Sequence, residues 1–206
     1  MSLFSRMKDF LKPAPQEQIV GYSVSELKSI FVKALNNATH EIPSFPTATS
    51  LASVGISAYY SMFVIDKADV DAFQKIIDER FSAINEKIFN ELVATRYQAK
   101  PKDEALIASI SYKEFNVTTI RLITNSIEFL SLVQKQKLAV PPPWIAFEGY
   151  QPSWWGGDMQ GAQGYYNDNY FFSFFVNLTS AERSDYYARY SASDEWIRSL
   201  ELMLEV

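Results

Sequence analysis

Three consecutive prolines, Pro141 to Pro143, force an extended, polyproline-like exit from whatever precedes them. The chain that follows is unlike anything upstream. From Pro141 to Phe175 it reads PPPWIAFEGYQPSWWGGDMQGAQGYYNDNYFFSFF, and it holds three of the four Trp and five of the seven Gly. Trp and Tyr bury large apolar areas but carry a polar handle that needs a partner. Rigid aromatics on a glycine-loosened loop, with a few convergent polar groups, line many small binding sites. The same composition also packs a chain reversal shut. The expected binding residues are Trp154, Trp155, Asp158, Gln160, Gln163, Tyr165 and Tyr166.

Upstream, apolar residues recur at helical spacing. Val70, Phe73, Ile77, Phe81, Ile84, Ile88 and Leu92 predict one helix from Asp66 to about Tyr97. Leu106, Ile110, Val117, Ile120, Ile127, Leu130 and Val133 predict a second, from Asp103 to about Lys137. Its threonines, Thr118, Thr119 and Thr124, lower helix propensity and suggest a kink. The short turn at Lys100–Lys102 would make the two helices antiparallel neighbours. A shorter helix, capped by Ser23 or Ser25, is predicted to about Asn37, with Ser23 and Glu26 at capping-box spacing, and another from Thr49 or Ser50 to about Val64. Past the glycines, Ala162 to Asn177 reads as a helix, with a buried strand over Tyr170 to Val176 as the competing reading. Thr179 and Glu182 then cap a helix to Tyr190, and Ser193 caps the last one.

The expected fold class is therefore all-α. A helical bundle over residues 16–140 is built on two long antiparallel helices, and residues 141–206 form an aromatic-rich helical cap on it, in one compact domain. Residues 1–15 make an amphipathic segment, with Leu3, Phe4, Met7, Phe10 and Leu11 opposite Arg6, Lys8 and Lys12. It suits an anionic membrane surface, but its few cations favour docking on the protein's own core.

Composition removes most catalytic chemistry. The chain has no Cys and one His, His40. Disulfides, thiolate nucleophiles, Fe–S clusters and cysteine zinc sites are excluded, as is any paired-histidine site. No nucleophile elbow, phosphate loop or dinucleotide fingerprint is present. Asp158 and Asp168 flank the aromatic turn, as a sugar hydrolase would require, but carboxylates beside glycine turns mostly cap or turn the chain. No cofactor and no metal are expected. A net charge of −5 argues against a nucleic-acid partner. The start lacks an apolar core and a cleavage site, so a cytoplasmic location is expected.

The C-terminal third also carries a recognisable pattern: Pro142-Pro143-Trp144, Trp155-Gly156, Gln160-Gly161, Gly164-Tyr165-Tyr166, an aromatic run, Leu178, Glu182-Arg183 and Tyr186-Tyr187. It resembles a motif in small bacterial proteins of unknown function, some of them similar to immunity or accessory proteins associated with secreted toxins. That resemblance implies a bacterial, soluble, non-enzymatic protein. It carries no catalytic residue. The Trp and Tyr of residues 154–166, the residue types interfaces favour, suggest a protein-binding module that would block its partner by steric occlusion. The alternative from the residues alone is a sugar-like ligand bound, or hydrolysed, at the turn of residues 154–168.

Overall fold

The computed structural model describes residues 18–33, 42–99, 104–156 and 159–205. It places a β-sheet where a helical bundle was expected. The chain enters through a small hairpin of β1 (Gln18–Ile19) and β2 (Tyr22–Ser23). Helix α1 (Val24–Ile30) follows, opened by the predicted capping box, in which Ser23 and Glu26 satisfy each other's backbone N–H. It ends at Ile30. The predicted helix to Asn37 is therefore too long, since Phe31, Val32 and Lys33 are not helical; its residues 34–37, together with His40 and the amphipathic segment at residues 1–15, lie outside the described residues.

Six strands then form one antiparallel sheet: β3 (Ala48–Ser50), β4 (Tyr59–Ile65), β5 (Phe81–Phe89), β6 (Leu92–Ala99), β7 (Ala105–Ser111) and β8 (Thr118–Thr124). Their spatial order is β3-β4-β8-β7-β6-β5. Helix α2 (Val70–Arg80) connects β4 to β5, and α3 (Ile127–Lys135) follows β8. The protein is α+β, and the all-α bundle is corrected.

The physical reasons are local. In the first long stripe, Phe73 and Ile77 are buried on α2, but Ile84 and Ile88 stand 57% and 78% exposed on the edge strand β5. Their helical spacing was coincidental. The chain reverses at Asn90 and Glu91, both at positive φ (49° and 61°), joining Phe89 to its partner Leu92. A two-residue turn with both φ values positive matches the twist of a hairpin. In the second stripe, the chain reverses at Phe115 and Asn116 (φ 52° and 51°). Thr118, Thr119 and Thr124, expected to kink a helix, are buried on β8. β-branched residues fit a pleated surface, where they pack against cross-strand neighbours. The predicted helix from Thr49 to Val64 is β3, a 3-10 turn at Ala52–Val54, and β4. A short apolar run such as YYSMFVI has no period that separates a buried strand from a buried helix.

Both faces of the sheet are covered. α2 and α3 pack on one face, where Phe73, Phe129, Leu130, Ile120 and Leu122 form a common core. On the other face, the N-terminal hairpin and α1 cover one end through Tyr22, Leu27, Ile107 and Ile123. The C-terminal helices cover the other end, around Val64, Val117, Tyr166 and Phe171. Those helices are α4 (Pro143–Ala146), α5 (Gly161–Tyr166), α6 (Phe172–Phe175), α7 (Ser180–Arg189) and α8 (Asp194–Leu202), with a π-helical turn at Asn167–Phe171 between α5 and α6. The competing strand over Tyr170–Val176 is not adopted. The capping pairs at Thr179–Glu182 and at Ser193 form as expected.

An ionic clamp ties this layer to the sheet. Arg189 of α7 reaches Asp66 and Asp69 just after β4, at 3.3 and 2.9 Å. Tyr190 donates to Asp66 at 2.6 Å. Burial opposes the charge on Asp66, yet the bonds from Tyr190, the Ala68 N–H and Arg189 outweigh it and hold the carboxyl below its ordinary range.

Candidate functional site

The aromatic stretch begins with a backbone problem. Pro141, Pro142 and Pro143 are buried and have no N–H to offer. The carbonyls at this exit still need donors, and the C-terminal layer supplies them. Tyr186 donates its hydroxyl to the Val140 carbonyl at 2.7 Å, and Tyr166 donates to the Pro141 carbonyl at 2.8 Å. The Trp144 indole donates to the Tyr190 carbonyl at 3.1 Å. Burial pushes the Tyr166 and Tyr186 hydroxyls far above the usual tyrosine range, so both remain donors.

The seven expected binding residues divide between interior and surface. Tyr166 is fully buried, and Trp155 is 4% exposed. The Trp155 ring is enclosed by Phe147, Tyr150, Phe171 and Trp196, with centroids 5.8–6.4 Å away. Trp154 is 60% exposed and Tyr165 is 47% exposed. Gln160 is exposed and Gln163 half-buried. Asp158 lies outside the described residues. Asp168, its suggested hydrolytic companion, is exposed and accepts a hydrogen bond from Asn167 at 3.1 Å.

Trp154 is held outward by its own turn. Pro152–Trp154 is a 3-10 turn, and the buried Trp155 anchors its far end. Ser199 of α8 donates to the Pro152 carbonyl at 2.9 Å, and Tyr150 donates to the Trp154 carbonyl at 3.2 Å. The Tyr150 ring meets the Trp154 indole edge-on at 5.6 Å. This turn forms one wall of an open groove of about 610 Å³. α8 forms the other, with Leu202 61% exposed and Glu195 and Arg198 alongside.

A second cleft, of about 630 Å³, lies between the Phe45–Pro46 segment, the end of α3, and α7. Its rim cations are already paired, Lys137 with Glu182 and Arg189 with Asp66 and Asp69. It therefore offers an apolar floor with neutralised edges.

Arg121 was missed by the sequence reading, because it fell within a predicted helix where a charge is unremarkable. On β8 it is a lone charge in the buried run TTIRLIT, with its side chain 17% exposed. That isolation is the signal the sequence did carry, since charged residues are rarely buried without a partner. Its partner is Glu114, from the β7–β8 turn. The exposed Tyr165 stacks on Phe115 of the same turn, at 6.3 Å and 20°. Among the described residues, no cluster of three or more His, Cys, Asp or Glu side chains is placed to hold a metal ion. None of their helices is long and apolar enough to cross a membrane. No family model, curated protein or solved structure matches the chain.

Proposed function

We propose that this chain is a non-catalytic cytoplasmic binding protein that recognises a protein partner through the surface around Trp154. The single observation that carries the reading is an indole held 60% exposed on a turn braced by Tyr150 and Ser199. Trp is among the residues enriched at the hot spots of protein interfaces, and one held outward on a fixed turn is placed to act as such an anchor. A rigid turn also spares much of the ordering cost that binding imposes on mobile loops. The neighbouring groove, lined by Pro152, Ser153 and Trp155 of this turn but not by Trp154 itself, adds Leu202 as an apolar contact and Glu195 and Arg198 as polar ones. The resemblance to immunity and accessory proteins suggests the kind of partner, a toxin or effector, and a surface aromatic anchor would act on it by covering it, by steric occlusion.

The test is affinity capture from the cells that naturally make the protein, comparing wild type with Trp154→Ala. A central interface tryptophan is worth about 2 kcal/mol or more, about thirtyfold in affinity. The variant should lose the specific partner while keeping its circular dichroism and melting temperature. Retention of every specific partner at unchanged affinity would refute the reading.

A further inference from the structure

The cleft between the Phe45–Pro46 segment, the end of α3 and α7 shares no lining residue with the groove beside Trp154. At about 630 Å³ it falls in the size range of small-molecule sites, which are mostly apolar with a few placed polar groups. Its floor is Phe63, Val133, Leu138 and Ala139, all buried. One wall is a run of rings. Phe45 meets Phe174 at 5.7 Å and 53°, and Phe174 meets Tyr186 at 5.8 Å and 51°. Ring faces carry negative charge density and attract ammonium groups.

The backbone adds to that bias. Val133 and Gln134 lie in the last turn of α3, and Phe174 lies in the last turn of the helix that runs from α5 through the π-helical turn to α6. Both helices therefore end at the cleft, and a helix C-terminus carries about half a negative charge on its unpaired carbonyls. The charged side chains in the lining are Lys137, Glu182, Asp185 and Arg189. Lys137 pairs with Glu182, and the two cancel. Arg189 faces two carboxylates, Asp66 and Asp69, so that cluster already holds one negative charge in excess. Both cations of the rim are thus engaged. Asp185 is exposed and has no partner among the described residues. It stands three residues after Glu182 and four before Arg189 on α7, so it shares their face toward the cleft.

We propose that this cleft binds a small organic ammonium ion, an amine or a quaternary ammonium with an apolar body. The body would lie on Phe63, Val133 and Leu138. The cationic head would sit between the Phe45, Phe174 and Tyr186 rings and the Asp185 carboxylate. An anion would meet two helix C-termini and an unpaired carboxylate, and a neutral molecule would gain only the apolar contact. The proposal does not rest on the Trp154 reading, and either can fail without the other.

The experiment is titration of the full chain with probes that share a benzyl body: phenethylamine, benzyltrimethylammonium, benzyl alcohol and phenylacetate, at matched ionic strength. The readouts are thermal shift and the backbone amide NMR signals of Phe45, Leu178 and Asp185. Both cations should give saturable shifts at these amides, with affinity about tenfold above that of the alcohol, and phenylacetate should give none. Phe45→Leu keeps the wall apolar but removes a ring, and should cost the quaternary cation about fivefold while leaving the alcohol unchanged. Asp185→Asn should weaken both cations about threefold. Asn177→Trp, at an exposed position of the lining, should fill the mouth and abolish the response while the fold is retained. No saturable response to either cation, alcohol or carboxylate bound as tightly as the cations, or an undiminished response in Asn177→Trp each overturns the proposal.

Discussion

The two tyrosine hydroxyls at the proline exit give the sharpest test of how the C-terminal layer is attached. Tyr166→Phe and Tyr186→Phe each remove one oxygen and almost no volume, so the cost is that of the bond. The Pro141 and Val140 carbonyls they serve lie in the buried segment that leads into the prolines. A buried carbonyl left unpaired costs about 1–3 kcal/mol. Each variant should therefore lose about 2 kcal/mol, and for a domain of this size a loss of 2 kcal/mol lowers the melting point by roughly 4–8 °C. Burial keeps both hydroxyls protonated, so the loss should be the same at neutral and mildly alkaline pH. Urea unfolding followed by tryptophan fluorescence and far-UV circular dichroism measures it, and the slope with denaturant should not change. Tyr165→Phe, on the exposed ring of the same helix, is the control and should shift stability by less than about 0.5 kcal/mol. If all three substitutions cost the same, the hydroxyls do not hold the proline exit and the reasoning is wrong.

Neighbouring indoles should respond oppositely: Trp155→Ala should cost about 3–5 kcal/mol in urea unfolding, as core tryptophans do, while Trp154→Ala stays within about 0.5 kcal/mol of wild type. Glu91→Gly should raise the melting temperature, because Glu91 sits at φ 61° and relieving a left-handed residue recovers about 1 kcal/mol, more than the exposed Lys113 ion pair is worth; a drop larger than that of Glu91→Asn, which keeps the left-handed fit and also loses the ion pair, would count against the hairpin geometry. Glu26 is held down to about 2 from an ordinary 4.5 by the bond from Lys87 and by the Ser23 N–H. A depressed carboxylate contributes stability above its unfolded pKa and loses it as pH falls through its folded one. The stability gap between wild type and Glu26→Gln should therefore be constant above about pH 5 and close between 4.5 and 2; being largely solvent-facing, it should be modest.

What the sequence disclosed follows from the reach of its signals. Caps are local, so Ser23–Glu26, Thr179–Glu182 and Ser193 announced three helix starts correctly. The stripe through Val70, Phe73 and Ile77 was also real, as far as Arg80. Strand pairing is not local. Phe81, Ile84, Ile88 and Leu92 kept a helical beat by chance, and the turn that breaks them, Asn90–Glu91, lacks the glycine that usually marks such hairpins. The threonines of β8 do lower helix propensity, but the consequence is a strand, where they are buried, and not a kinked helix. At the site, the aromatic stretch stood out at once, but composition does not say which indole faces inward. Trp154 and Trp155 are adjacent and chemically identical, and only the packing of Phe147, Tyr150, Phe171 and Trp196 around the second separates them. Arg121 and Glu114 meet only because β7 and β8 are joined by the turn that carries Glu114.

Site-specific photo-crosslinking addresses the recognition claim most directly. A photoreactive phenylalanine placed singly at Trp154, at Tyr165 and at Ile84, the last exposed on the opposite edge of the sheet, would be irradiated in the native cells. One discrete adduct from position 154, absent from position 84, is what this account requires. Adducts of equal yield from all three positions, or none from 154 where another position gives one, would place the partner elsewhere.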